Sequence, residues 1–393
     1  MPSFKIFVSV TLALVLTACA ASYDRTNLTP TAENYETFQP VGARPESRYF
    51  EDDNRERLAS LNKETRKTLA QVPKGRGLNI LALSDGGQHG AYGAGVLNGW
   101  SDIGTRPSFD VVTGISTGAL IAPFAFLGSD YDDRLQRFYT ETATRDVVRL
   151  DLTGAIFGRG FLTRATPLQE AIRQELTDDL IRKIAEQHRQ GRQLLIGTTN
   201  IDAERPVLWN IGAIAQSDTP KARDLIREVI LASASIPVVF QPVPIDVTNG
   251  EVQREELHVD GGLTREIFAY PHDLQMRQLL REAGLSNQKN RIWLIHNKKL
   301  EPTFDPLPGN ATAVASRAFE MLIRSQSLGN IESILALANR DGFQANITYI
   351  PKEFQTKPDE PFDPEYMTEL FAVGYWVGQQ KDGWFYDAQD WEY

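Results

Sequence analysis

The sequence predicts an α/β fold built on a mainly parallel central sheet. Three observations predict it. Leu78-Asn79-Ile80-Leu81-Ala82-Leu83 is a compact apolar run that ends at Asp85-Gly86-Gly87, as a buried strand ends in a glycine loop. Phe109-Asp110-Val111-Val112-Thr113 repeats the pattern, with a tight turn at Gly114-Ile115-Ser116-Thr117-Gly118 and an apolar helical segment from Ala119 to Leu127. Strand, turn and helix in alternation build a parallel sheet covered by helices.

The other elements follow in order. A helix over 90–100 leaves the glycine loop. Later strands are predicted at 193–198, 206–209, 258–259, 291–295 and 346–350. Helices are predicted at 166–176, 178–189, 221–234, 272–283, 311–338 and 363–380. Pro123 lies beyond the first turn of its helix, where it removes a hydrogen bond and kinks the axis. No Pro/Gly-rich linker or repeat divides 76–393, which reads as one domain with its motifs in 76–265. The chain has 393 residues, 41% hydrophobic and 23% charged, enough for a large core. Its net charge of -10 argues against a nucleic-acid surface and against a polybasic membrane patch.

The N-terminus carries a separate signal. Lys5, the apolar run Ile6 to Leu16 and the small residues before Cys19 form a secretory signal over 1–18, too short to span a bilayer. Cys19 is the only cysteine, so no intramolecular disulfide is possible. Leu16-Thr17-Ala18-Cys19 resembles the lipobox of bacterial lipoproteins. That resemblance implies cleavage before Cys19, acylation of Cys19 and attachment to a membrane surface. Ala20 in place of Asp implies the outer membrane of a bacterial envelope. Residues 19–75 read as a tether and N-terminal extension, polar with prolines at 30, 40 and 45, then helical in spacing over 51–70.

The chemistry is carried by three local patterns. In Gly114-Ile115-Ser116-Thr117-Gly118 the serine occupies a sharp strand-to-helix turn. Glycines two residues before and after it leave room for neighbouring backbone, and the following helix points its amides at the site. With 29 glycines in the chain the pattern alone is weak, and its flanking strand and helix strengthen it. In Ser84-Asp85-Gly86-Gly87-Gln88-His89-Gly90, consecutive glycines leave amides uncovered for an oxyanion. The loop matches neither a dinucleotide fingerprint nor a P-loop. A serine nucleophile also needs a base. Of five histidines, His272 or His296 after Asp260 would satisfy the order Ser, Asp, His, while Val259-Asp260-Gly261-Gly262 brings an aspartate to a glycine turn.

Together these patterns resemble the patatin-like phospholipase family. The match extends to Gly95-Val96-Leu97 and to Ser235-Ile236-Pro237-Val238-Val239-Phe240-Gln241-Pro242 ahead of Asp260. The resemblance implies a three-layer α/β/α fold and a Ser-Asp dyad, with Ser116 as nucleophile and Asp260 as base. It assigns the oxyanion amides to Gly86 and Gly87, and the motif glycines to Gly90, Gly114, Gly118, Gly261 and Gly262. It implies a lipid acyl-ester substrate and neither metal nor cofactor. Two residues depart from the family pattern. Asp85 stands where the family has its first loop glycine, and is expected to point away from the oxyanion. His89 stands where the family has Arg or Lys. It would supply a charge only when protonated, giving an activity that depends on pH near 6–7. The departures keep open a catalytically silent envelope lipoprotein that binds lipid or a protein partner; a Ser-His-Asp esterase is the other alternative.

Overall fold

The computed structural model describes residues 25, 27–53, 58–141, 147, 149–150, 163–164, 166–237, 239–302, 304, 306–380 and 383–384. The signal segment and Cys19 lie outside the described residues. In chain order, β1 (Gln39–Pro40), β2 (Arg48–Phe50), α1 (Ala59–Gln71), β3 (Asn79–Leu83) and α2 (Gly90–Asp102) come first. β4 (Val111–Ile115), α3 (Thr117–Leu127), α4 (Asp132–Glu141), β5 (Arg149–Leu150), β6 (Thr163–Arg164), α5 (Thr166–Glu175) and α6 (Asp178–Arg189) follow. Then come β7 (Gln193–Asn200), β8 (Arg205–Asn210), α7 (Ile211–Ala215), α8 (Pro220–Ser233), β9 (Val243–Thr248) and β10 (Gln253–Asp260). α9 (Met276–Glu282), β11 (Arg291–His296), α10 (Ala311–Asp341), β12 (Gln344–Tyr349) and α11 (Pro364–Gln379) complete the fold.

Ten strands form one sheet, ordered β1-β9-β10-β7-β4-β3-β11-β12, with β8 on β7 and β2 on β8. From β12 through β11, β3 and β4 to β7 the pairing is parallel. Beyond β7 it is antiparallel. The parallel half is the part read from the strand-turn-helix alternation. Its strands are apolar on both faces, and alternate side chains feed two cores. Leu81, Leu83, Val112 and Ile196 pack with α2, α3, α6, α8 and α11. Ile80, Ala82, Val111 and Leu195 pack with α1, α9 and α10 on the other side. The result is three layers, α/β/α.

The C-terminal helix completes the first of these layers by backbone contact. A Cβ at Gly95 would overlap the Phe371 carbonyl, and one at Gly99 the Tyr375 carbonyl. In return a Cβ at Gly374 would overlap the Tyr92 carbonyl, and one at Gly378 the Val96 carbonyl. α2 and α11 therefore cross with two glycines on each side of the contact.

Part of the expected tether belongs to the sheet. β1 pairs with β9 and β2 with β8, while Phe38, Tyr49 and Phe50 are buried. The chain is already fixed at Arg25, which pairs with Asp202 at 2.7 Å and Glu255 at 3.3 Å. The expected short strand at 258–259 is the end of an eight-residue strand hairpinned to β9 through Asn249-Gly250, with Gly250 at φ 93°. The helix expected over 272–283 starts only at Met276.

The α2–α11 crossing gives a stability prediction. Gly99→Val places a branched side chain against the Tyr375 carbonyl and is expected to cost about 2–3 kcal/mol, read as a lowered denaturant midpoint. An unchanged midpoint would refute the crossing.

Candidate active site

β4 ends at Ile115, and the chain turns at Ser116 with φ 53° and ψ -120°, a conformation costly for any side-chain-bearing residue. The surroundings impose it. A Cβ at Gly114 would lie 2.7 Å from the Gly118 carbonyl carbon, and one at Gly118 would lie 2.7 Å from the Ser84 carbonyl oxygen. The Ser116 amide donates to Ser233 Oγ at 3.0 Å, and Ser233 Oγ donates to the Gly197 carbonyl at 2.7 Å. α3 begins at Thr117, so its first amides and its dipole lie beside the serine.

The loop after β3 runs against this turn. A Cβ at Gly90 would overlap Thr117 Oγ1, so Gly90 lets α2 start in contact with α3. Gly86 has φ 149°, and a Cβ there would lie 2.7 Å from the Asn297 carbonyl oxygen. Gly87 has φ 56° and open space around it. Among the described residues neither the Gly86 nor the Gly87 amide has a backbone acceptor. Asn297, just past β11, stitches the loop. Its amide donates to Ser84 Oγ at 2.8 Å, its Nδ2 donates to the Ser84 carbonyl at 3.0 Å, and its Oδ1 accepts from the Gly93 amide at 3.0 Å. No local pattern marks Asn297 in the sequence.

β10 brings Asp260 to the same edge, opposite Thr198 on β7. Asp260 Oδ1 accepts from the Gly262 amide at 2.7 Å, and the Ser116 hydroxyl interacts with the same carboxyl. Burial pushes Asp260 up to about 7, with the Asp85 charge adding to the rise; Ser116, the Gly262 amide and Lys298 oppose it. A Cβ at Gly261 would lie 2.6 Å from the Gly197 carbonyl oxygen, which explains the first glycine of the pair.

The two departures from the expected loop resolve differently. Asp85 does turn aside: its carboxylate lies on Lys298 Nζ at 2.8 and 3.0 Å, and Lys298 also pairs with Glu266 at 3.0 Å. The expectation of a protonated His89 is corrected. Burial, together with Lys298 and Lys299, lowers it to about 4, so His89 is neutral at pH 6–7. The other histidines are also engaged elsewhere. His258 bonds Thr198 and Glu256, His296 the Lys298 carbonyl, His188 the Arg192 carbonyl, and the exposed His272 reaches Asp273. Among the described residues no histidine lines the Ser116 cavity.

That cavity opens to solvent, and Gly87, Ser116 and Thr117 are among its lining residues. Leu120, Ile236, Phe240 and Met367 are among its apolar walls. Of the segment 119–126 only Leu120 lines it. Ala119, Ile121, Ala122 and Phe126 are core. Among the described residues, no group of three or more His, Cys, Asp or Glu could hold a metal ion.

Residues 81–271, which carry the serine turn, the glycine loop and Asp260, match the family model "Patatin-like phospholipase". This segment belongs to the patatin-like phospholipase family. Hydrolysis of lipid acyl esters is the family's general activity. The crystal structure of VipD from Legionella pneumophila is similar at 15% identity and TM-score 0.39, over 77% of this chain and 66% of that one. The chain thus spans just under two thirds of that structure. No curated protein matches. Within the patatin-like frame, Asn297 and Lys298 reach the site from beyond the matched segment.

The Asp260 environment predicts a pH-dependent stability. Asp260 binds its proton more tightly folded, at about 7, than unfolded, near the ordinary value of about 4. Its carboxyl is tolerated as the acid, and stability is lost as pH rises from about 4 through about 7. Asp260→Asn is therefore expected to raise Tm above wild type at pH 8, with the gain vanishing below pH 4. A gain that is the same at all pH values would show that burial does not raise Asp260.

Proposed function

We propose that Ser116 and Asp260 form a catalytic dyad that hydrolyses lipid acyl esters through an acyl-serine intermediate. The observation that carries this reading is the pairing of the Ser116 hydroxyl with a buried carboxyl whose proton affinity is matched to neutral pH. As the Ser116 oxygen bonds to the acyl carbon, its proton passes to the Asp260 carboxylate. The carbonyl electrons move onto the oxygen, which the Gly86 and Gly87 amides receive with help from the Thr117 amide. Collapse breaks the ester bond, and the leaving alcohol takes the proton from Asp260. Water then attacks the acyl-serine with Asp260 as base, releasing the fatty acid and restoring Ser116. The apolar walls beside Gly87 suit an acyl chain. We further propose that Cys19 is acylated and holds the enzyme on a bacterial outer membrane, next to its substrate.

Lipid-hydrolysis profiling of wild type, Ser116→Ala and Asp260→Asn tests the dyad. Both variants are expected to lose about 10³-fold or more in kcat. A fluorophosphonate should label wild type and not Ser116→Ala. The acid limb of wild-type kcat/KM should fall near pH 7. Equal product from all three proteins would refute the dyad. Absence of both labelling and lipid turnover would favour a silent lipid-binding protein.

A further inference from the structure

A patatin-like loop with glycine at its first position brings no charge to the base. Here Asp85 does. A Cβ at Gly262 would lie 2.8 Å from Asp85 Oδ2 and 3.1 Å from Asp260 Oδ1, so the two carboxyl groups flank one α-carbon. The Gly262 amide donates to Asp260 Oδ1. An ionised Asp85 at this distance opposes the ionised form of Asp260 that a base requires.

The opposing charge has a partner from outside the family segment. Lys298 follows β11, is half-buried, and makes ion pairs with both Asp85 and Glu266. Further contacts hold the pair in place. The Asp85 amide donates to the Glu266 carbonyl at 3.0 Å. The Glu266 amide donates to Asn330 Oδ1 at 2.8 Å, Ser327 Oγ donates to the Glu266 carboxylate, and Gln326 Nε2 donates to the Gly262 carbonyl at 3.1 Å. The three α10 residues thus clamp the loop that follows Asp260.

We propose that Lys298 is a positioning residue, the counter-ion that draws Asp85 aside and lets Asp260 ionise for catalysis. This rests on the Ser116–Asp260 reading. The groups facing the cluster are accounted for. Asp260 meets Asp85 from the β3–α2 loop, Lys298 from β11 and Ser116 from the β4–α3 turn. Lys298 meets Asp85 and Glu266, and also His89 and His296, both held neutral by burial and by Lys298 itself. Lys299 adds only to the effect on His89. The Lys298 charge favours ionised Asp260 and the Asp85 charge, the larger influence of the two, disfavours it, so removing both should offset only in part.

The test is the pH profile of kcat/KM on a p-nitrophenyl butyrate substrate for four proteins. Lys298→Met is expected to move the acid limb up by as much as about one pH unit, which would lower activity at pH 7 about fivefold. Asp85→Gly should move the limb down. The double variant Asp85→Gly/Lys298→Met should have its limb well below that of Lys298→Met, a rescue that a purely structural lysine would not show. A Lys298→Met limb identical to wild type, or a double variant whose limb is no lower than that of Lys298→Met, overturns the proposal. Should Lys298→Met not fold, an unmoved limb in Asp85→Gly overturns it equally. If wild type hydrolyses nothing, the dyad reading fails separately. The same shifts are then read without turnover, from the pH at which Asp260→Asn begins to raise Tm in each background.

Discussion

Backbone meets backbone where the end of β3 touches the first turn of α3, and much of the molecule is arranged around that contact. Gly118 lies so close to the Leu83 and Ser84 carbonyls that a single methyl group would not fit, and Gly114 is pressed in the same way on Gly118. Ser116 is left at φ 53° because both sides of its turn are occupied. The contact also brings the β3–α2 loop to the hydroxyl, so the Gly86 and Gly87 amides and the serine share one edge without a long side chain reaching across. Because β11 runs parallel to β3, the residues just past its end fall beside that loop. Asn297 fixes its shape and Lys298 its charge.

Buried polarity on this edge is paid for by close pairing. Glu256, His258 and Asp260 alternate along one face of β10. Glu256 Oε2 accepts from Arg48 and Asn200 and meets His258, while His258 also meets Thr198, which accepts from Trp209. Arg48 comes from β2, so the N-terminal segment takes part in holding the strand that presents Asp260. The third residue, Asp260, is met by the Gly262 amide, by Ser116 and more weakly by Lys298, and burial and the Asp85 charge raise its proton affinity.

The parallel half of the fold was legible because its signals are local. An apolar run ending in Gly86-Gly87, and another ending in Ser116, place strand, turn and helix within a few residues of each other. That Ser116 lies at a strand-to-helix turn and Asp260 at a strand end was legible for the same reason. The antiparallel flank was harder. β1 and β2 are two and three residues long, and their strand character comes from β9 and β8 rather than from their own sequence. The β9–β10 hairpin did carry a readable mark in Asn249-Gly250, with alternating burial along β9. His89 was misjudged because its charge depends on Lys298 and on burial, which no neighbouring residue encodes. Asn297 and Lys298 act more than two hundred residues from the loop they touch.

Arg25 is held by Asp202 and Glu255, and five residues lie between it and Cys19. Fully extended, that stretch spans at most about 20 Å. A domain of this size has a radius of gyration of about 20 Å as well. A lipid carried on Cys19 would therefore act as a short leash rather than a long one. A domain held that way would be confined to a layer about one molecule deep, and its encounters would be two-dimensional.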